Sequence, residues 1–178
     1  MIRGNIILTH KKNTTELLQN YRPISLLNTD LKLYTKLLAN RLKNSLSKVI
    51  SAQQYARPGS KIFHVLTLLR DMYQHSSSRG YEHFYLSQDF EKAFDSIDHL
   101  WLFQVLMRYG FALKFVNIIT ALYTRAFSEV TVNGFRTRPF TIERGVRQGD
   151  PLSLFLFLIA AEPFMTAIRH NNDITGIG

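Results

Sequence analysis

Hydrophobic residues recur at helical spacing in five stretches of the chain, and each stretch predicts a helix. The clearest case has Leu31, Leu38 and Leu46 on one face, while lysines and arginines decorate the other faces. The five helices are predicted over residues 31–50, 61–74, 99–108, 113–126 and 151–170.

Alternating and extended patterns predict the strands. Residues 129–142 indicate a β-hairpin, because alternating valines lead into an Asn133-Gly134 turn. Pro139 predicts that the second strand of this hairpin lies at a sheet edge. Further extended segments are predicted at residues 6–8, as an edge strand, at residues 20–27, and at residues 82–90. Strands and helices together predict an α+β domain.

Asp89 ends the predicted strand at residues 82–90. A carboxylate at the end of a buried strand is costly unless something neutralises it, and a divalent metal ion commonly does so. Capping of the next helix explains Asp89 equally well. Shortly afterwards come Phe94, which core packing explains most simply, and Asp95, which is expected in a helix or a salt bridge.

The segment ERGVRQGDPLS, residues 143–153, joins the hairpin to the last helix. Asp150 predicts the N-cap of that helix, with Pro151 at its first position. Arg147, in the RQG triplet, carries a guanidinium that matches phosphate oxygens better than a lysine does. Together with Asp89, this segment indicates a site for Mg²⁺ and a phosphorylated substrate.

The positive charge of the chain is concentrated in its amino-terminal part. Residues 1–70 hold 12 Lys and Arg against 2 acids, whereas residues 71–178 hold 10 against 11. This asymmetry is typical of a nucleic-acid binder, and a solvated basic surface is the alternative. The absence of Cys excludes disulfides and Cys-based zinc sites. No apolar run is long enough to span a bilayer, so a membrane partner is not expected.

Four blocks of residues resemble the reverse transcriptase domain of non-LTR, LINE-type retrotransposons. In order, these blocks are NYRPISLLN (20–28), KLLANRL (36–42), DFEKAFDSID (89–98) and GVRQGDPLS (145–153). The resemblance implies an α+β fold, the fingers and partial palm of a right-hand polymerase, with a small antiparallel sheet packed on helices. Residues 1–80 would be a fingers-like basic segment and residues 81–178 the partial palm, without a thumb.

The resemblance also implies roles for individual residues. Asp89 would be the catalytic, metal-binding carboxylate, and the backbone carbonyl of Phe90 would be a further metal ligand. Phe94, with Ala93 beside it, would stack under the incoming sugar and exclude a 2′-hydroxyl. The other implied positions are Lys11, Lys12, Arg22, Gln148 and Gly149 for the nucleotide, and Lys36, Arg41, Lys43 and Arg147 for nucleic acid.

The activity implied by the resemblance is RNA-directed DNA synthesis, a nucleotidyl transfer that uses two Mg²⁺ ions. An RNA template, a DNA primer and deoxynucleoside triphosphates would be the partners. The implied location is intracellular, with access to the nucleus for target-primed copying. In the family, further metal carboxylates lie on a later aromatic-Ala-Asp-Asp block, and these 178 residues contain no Asp-Asp pair. We therefore expect an incomplete metal site and no polymerase activity from this chain. The alternative is a non-catalytic nucleic-acid-binding remnant of a retroelement.

Overall fold

The computed structural model describes residues 2–11, 14–80, 84 and 86–174. Within these residues the strands are β1 (Ile2–His10), β2 (Tyr21–Leu27), β3 (Ala126–Val132), β4 (Phe135–Arg136) and β5 (Phe140–Thr141). The α-helices are α1 (Thr29–Val49), α2 (Ile62–Arg79), α3 (His99–Arg108), α4 (Leu113–Thr124) and α5 (Ser153–Arg169). A short 3₁₀ helix at Leu18–Asn20 leads into β2.

The strands form one mixed sheet in the order β2-β1-β3-β4, and β5 also pairs with β3. In the centre of β1, Ile7 lies opposite Ile24 of the antiparallel β2 and opposite Thr131 of the parallel β3. The α+β class is therefore confirmed. Two details are corrected: the sheet is not wholly antiparallel, and β1 lies inside it. A parallel neighbour arrives by a long crossover, here through four helices, which the local pattern of β1 does not reveal.

The β3–β4 hairpin forms where the sequence predicts it. Val132 pairs with Phe135 and leaves a two-residue turn. Both turn residues have positive φ, 49° at Asn133 and 82° at Gly134, as a type I′ turn requires. The return strand is interrupted around Pro139 and resumes as β5, at the edge of the sheet that proline predicts.

Four helices, α1, α3, α4 and α5, enclose the hydrophobic core. Helix α3 packs on α4 and α5, and α1 packs on α5, so their apolar stripes meet. The helix α5 begins at Ser153 rather than at Pro151, because Asp150 closes a turn ahead of it. The core side chains with no solvent exposure include Leu46, Leu102, Leu106, Ile119, Leu156 and Ile159.

Helix α2 forms as predicted but has no buried residue. It continues past the predicted end at residue 74 to Arg79, and stops at Gly80, whose left-handed conformation is a common helix terminator. Phe63 and Tyr73 on this helix are 73% and 76% exposed. Helical spacing thus predicts the helix but not a partner for its apolar side chains. Like the other helices of the described residues, α2 is not long and apolar enough to cross a membrane.

The segment before Asp89 is not a strand where the structure describes it. Residue 84 and residues 86–90 have no regular secondary structure and are exposed, while residues 81–83 and 85 lie outside the described residues. The strand predicted over residues 82–90 is therefore wrong for its described part. Phe84 and Leu86 are 99% and 78% exposed, because an apolar sequence becomes a strand only where a neighbouring strand pairs with it.

Candidate functional site

Residues 147–150 form a tight turn between the hairpin and α5. The amide of Asp150 donates to the carbonyl oxygen of Arg147 at 3.2 Å, and Gly149 has a φ of 100°. A positive φ at the third position is characteristic of a type II turn, where glycine is favoured. The two central residues, Gln148 and Gly149, are consequently the ones that the turn presents outward.

The turn is held between β2 and the loop that follows Asp89. The amide of Ser25 on β2 donates to the carbonyl oxygen of Gln148 at 2.9 Å. The Nε2 atom of Gln148 lies 3.2 Å from each carboxylate oxygen of Asp95 and donates to them. These bonds bring together two segments that the sequence singles out separately.

Gly145 allows the chain to approach the Asp95 loop closely just before the turn. The Gly145 amide donates to the carbonyl oxygen of Ile97, and the Val146 amide donates to that of Phe94, each at 2.7 Å. A Cβ atom at Gly145 would lie 2.8 Å from the Cα atom of Asp95, which is closer than real side chains come. Glycine is therefore needed at position 145 for the two loops to pack this closely.

A cavity of about 280 Å³ opens between the turn, β2 and the hairpin. Its volume is near the lower end of the range for small-molecule sites. Ser25, Asp95 and Gln148 line it together with Arg144, whose side chain is 69% exposed. A carboxylate, an amide and an exposed guanidinium thus converge on one space, and such groups can orient a polar ligand.

A larger groove of about 890 Å³ lies between α3 and α5. Its walls are mainly apolar, with Trp101, Val105 and Met107 from α3 facing Pro163 and Ala167 from α5. None of the site residues predicted from the sequence lines this groove. Size alone therefore does not identify the functional site, and we place it at the smaller cavity, named the polar cavity for the Asp95, Arg144 and Gln148 side chains that line it.

Arg147 and Asp150, at the two ends of the turn, are buried. Arg147 is 5% exposed; its Nη2 donates to the carbonyl oxygen of Leu122 at 3.0 Å, and its guanidinium carbon lies 5.4 Å from the ring centre of Tyr123. The carboxylate of Asp150 accepts the amide of Leu152 at 2.9 Å. Burial lowers the pKa of Arg147 and raises the pKa of Asp150. The predicted contact between Arg147 and nucleic acid stays a prediction, and in this structure the guanidinium of Arg147 is buried against Leu122 and Tyr123.

Asp89 and Phe90 lie in the exposed segment that precedes the Asp95 loop. The ring of Phe90 meets Phe157 and Phe164 of α5 edge-on, at centroid distances of 6.3 and 6.0 Å. The ring of Phe94 stacks on Phe157 at 5.3 Å, which fits the core-packing explanation. Because Asp89 is exposed, the argument from a buried carboxylate fails, although its oxygens are accessible to a cation.

The described residues do not form a metal site by themselves. Among them, no group of three His, Cys, Asp or Glu side chains could hold a metal ion. Asp89 offers one carboxylate, and the carboxylate of Asp95 is already bonded to Gln148. A divalent cation takes about six oxygen ligands, so these residues do not satisfy one without further donors.

The remaining predicted site residues lie on several different elements. Arg22 is exposed on β2, and strand alternation puts its side chain on the face opposite Ser25, which lines the cavity. Lys11 is exposed after β1, and Lys12 lies outside the described residues. Ala93 lines a separate cavity of about 320 Å³ against α5. The basic residues predicted on α1 are all exposed: Lys36, Arg41 and Lys43.

Two residues that shape the polar cavity carry no binding role in the sequence analysis. Asp95 is predicted as a structural acid, yet it accepts the Gln148 amide from 53 positions away. Arg144 shares a loop with Arg147 but projects to the surface. The sequence marks Asp95 only through the DFEKAFDSID segment and Arg144 only through the ERGVRQGDPLS segment. No local pattern predicts a contact between residues that are 53 positions apart.

The fold and the site together define an α+β domain of the fingers-and-palm class of nucleic-acid polymerases. A small sheet packs on helices, and a glycine turn faces an acidic loop at its edge. The family described as reverse transcriptase (RNA-dependent DNA polymerase) matches residues 9–177. The chain belongs to this family, whose members generally use divalent metal ions.

Proteins of non-LTR retrotransposons are similar to the chain along most of its length. The "Transposon TX1 uncharacterized 149 kDa protein" of Xenopus laevis is 40% identical over 176 residues, which cover 98% of the chain and 13% of that protein. The "Retrovirus-related Pol polyprotein from type-1 retrotransposable element R2" of Popillia japonica is 33% identical, covering 88% and 22%. The corresponding R2DM polyprotein of Drosophila melanogaster is 27% identical, covering 84% and 14%. The predicted non-LTR resemblance is confirmed, and the chain spans less than a quarter of the length of these relatives.

Proposed function

We propose that the chain forms the fingers and part of the palm of an RNA-directed DNA polymerase from a non-LTR retrotransposon. The polar cavity beside the 147–150 turn would receive the incoming deoxynucleoside triphosphate. The observation that carries the proposal is the bond from Gln148 to Asp95, which joins the RQG turn to the loop that begins at Asp89. Both segments lie within the family match.

The residues around the cavity suit a reaction that depends on positioning. Phosphoryl transfer requires orientation and charge neutralisation more than covalent catalysis. Gln148 would orient the nucleotide. The guanidinium of Arg144 lies 3.9 Å from the carboxylate of Asp98, a long contact for an ion pair, and it would turn toward the phosphate oxygens. Asp89 and the Phe90 carbonyl would contribute oxygen ligands to Mg²⁺, which supplies charge neutralisation when other donors complete its site.

The other roles implied by the family belong to the same proposal. Phe94 would exclude the 2′-hydroxyl, Gly149 would leave room for the nucleotide, and Ala93 would lie beside them. Arg22 and Lys11 would approach the phosphates from the fingers. The fingers segment, residues 1–80, and the palm segment, residues 81–178, would share one sheet, since β1 pairs with both β2 and β3.

Replacement of Asp89 tests the catalytic part of the proposal. In a longer protein that carries this segment followed by the aromatic-Ala-Asp-Asp block, Asp89→Asn should lower Mg²⁺-dependent primer extension by at least about a hundredfold. Template binding should be nearly unchanged, because an exposed amide replaces an exposed carboxylate. Asp71→Asn, at an exposed acid on α2, is the matched control. Unchanged primer extension by Asp89→Asn would show that Asp89 is not a catalytic residue.

Nucleic-acid binding without catalysis is the second candidate, and the exposed cations on α1 favour it. Each Lys or Arg on a phosphate contributes about one unit to the slope of log K against log salt concentration. Glutamine at Lys36, Arg41 and Lys43 should therefore reduce that slope by about three for an RNA–DNA duplex. An unchanged slope would mean that α1 does not bind the duplex.

A further inference from the structure

We propose that Arg147 is a positioning residue whose buried guanidinium fixes the turn that holds Gln148 over the polar cavity. The effect on nucleotide binding rests on the proposed function. The effect on the turn itself does not, because it follows from contacts within the protein. This assigns Arg147 an inward role that is distinct from the contact with nucleic acid that the family resemblance implies.

The contacts of Arg147 tie the first residue of the turn to the end of α4. The carbonyl oxygen of Leu122, which accepts its Nη2 at 3.0 Å, lies in the last turn of that helix. Carbonyl groups there have no partner within the helix, and a cation is favoured beside them. The ring of Tyr123, 5.4 Å from the guanidinium carbon, limits the side chain from a second direction.

The last residue of the turn is held independently. Asp150 is 8% exposed, and its carboxylate accepts the amide of Leu152 at the start of α5. The opposite charges of Arg147 and Asp150 attract each other across the turn. With both ends fixed in the core, Gln148 can keep its bond to Asp95 without losing much additional conformational freedom on ligand binding.

The burial of Arg147 has opposing effects on stability. A buried guanidinium carries a large desolvation cost, and its Nη1 atom has no hydrogen-bond partner among the described residues. Methionine has a similar length and no charge, so Arg147→Met removes that cost, but it also leaves the buried carboxylate of Asp150 without that facing cation and should lower the thermal unfolding midpoint. The positioning role is therefore tested by the state of the Gln148 side chain and not by stability.

The test observes the turn directly by NMR in the 178-residue chain. The side-chain amide of Gln148, identified by its loss in Gln148→Ala, reports the bond to Asp95. Arg147→Met should shift this amide to the position of a solvent-exposed glutamine. In the longer protein that carries the remaining metal carboxylates, the same substitution should weaken dTTP binding about tenfold, with magnesium chloride present. Arg136→Met, at an exposed arginine on β4, is the matched control and should alter neither signal nor affinity.

Each outcome is decisive. An unchanged Gln148 amide in folded Arg147→Met would overturn the inference. If that variant does not fold, Arg147→Lys gives the same measurement, because lysine keeps the charge but lacks the planar fork. A Gln148 amide that is released in Arg147→Met, combined with no dTTP binding by the longer wild-type protein, would support the positioning role and contradict the nucleotide site. If the wild-type protein binds dTTP and Arg147→Met binds it equally well, the positioning of Gln148 does not affect nucleotide binding. The proposed function would then stand.

Discussion

Gly145 and Gly134 share a left-handed backbone, with φ of 87° and 82°, but their surroundings differ. A Cβ atom at Gly145 would lie 2.8 Å from the Cα atom of Asp95 and 2.9 Å from the carbonyl oxygen of Phe94. Nothing lies within 4 Å of the same position at Gly134. The hairpin glycine is therefore needed for its backbone angle, whereas Gly145 is needed for its angle and for space.

Alanine substitution separates these two requirements. Gly134→Ala should lower the free energy of unfolding by about 1 kcal/mol, the cost of a left-handed alanine. Gly145→Ala should cost roughly 3 kcal/mol or more, because overpacking against backbone adds to that strain. Urea unfolding of both variants provides the comparison. Equal losses would mean that the loop at Gly145 does not approach Asp95 as closely as described.

The buried hydroxyl of Tyr123 makes stability depend on alkaline pH. Burial raises the pKa of Tyr123 from 10.0 to about 12. Below pH 10 the tyrosine is protonated in both states, so stability is unaffected. Between pH 10 and about 12 the unfolded state loses this proton first, and the free energy of unfolding falls by on the order of 3 kcal/mol.

Tyr123→Phe removes this titration and leaves the other groups in place. The variant should lose less stability than the wild-type protein between pH 9 and pH 11.5, as measured by urea unfolding at each pH. Comparison of the two proteins isolates the single tyrosine from the remaining lysines and tyrosines. Parallel losses in both proteins would show that the Tyr123 hydroxyl is accessible to water.

The two arginines of the ERGVRQGDPLS segment, Arg144 and Arg147, show how far the sequence predicts the role of a single residue. The sequence predicts this segment as part of the site, and its RQG triplet lies in the 147–150 turn. The orientation of the side chains was not predictable, because Arg147 is turned inward by Leu122, 25 positions earlier. Arg144, at 69% side-chain exposure, is left facing the cavity rim. Local residue types do not distinguish these outcomes.

At the scale of elements, α1 and α2 have similar apolar content but different surroundings. Leu46 of α1 is completely buried, whereas Leu66 of α2 is 55% exposed. Leu46→Ala should therefore cost about 3 kcal/mol through lost burial and a cavity, and Leu66→Ala should cost less than about 1 kcal/mol. Chemical denaturation of the two variants measures both values. A large loss from Leu66→Ala would show that α2 is packed in solution.

Element types were predictable wherever a local pattern decided them. The five helices and the Asn133-Gly134 hairpin follow from helical spacing and turn chemistry. Strand partners were not predictable, because pairing joins distant parts of the chain. The position of β1 between β2 and β3, and the unpaired backbone of residues 86–90, both depend on such partners.

At the scale of the whole molecule, the sheet and the 147–150 turn connect the two ends of the chain. The amino-terminal β2 bonds to the turn through Ser25, and the turn bonds to the Asp95 loop through Gln148. The family match covers all of these segments, residues 9–177. Proteins of which this chain spans 13% to 22% contain much more sequence, so the activity is best tested in a longer protein.

The most direct test of the central claim is the KM for a deoxynucleoside triphosphate in primer extension by that longer protein. Gln148→Ala should raise this KM about tenfold, because the cavity loses the amide that orients the nucleotide. Affinity for the template-primer should not change, and Gln104→Ala, at an exposed position on α3, should match the wild type. A KM unaffected by Gln148→Ala would contradict the assignment of the cavity as the nucleotide site.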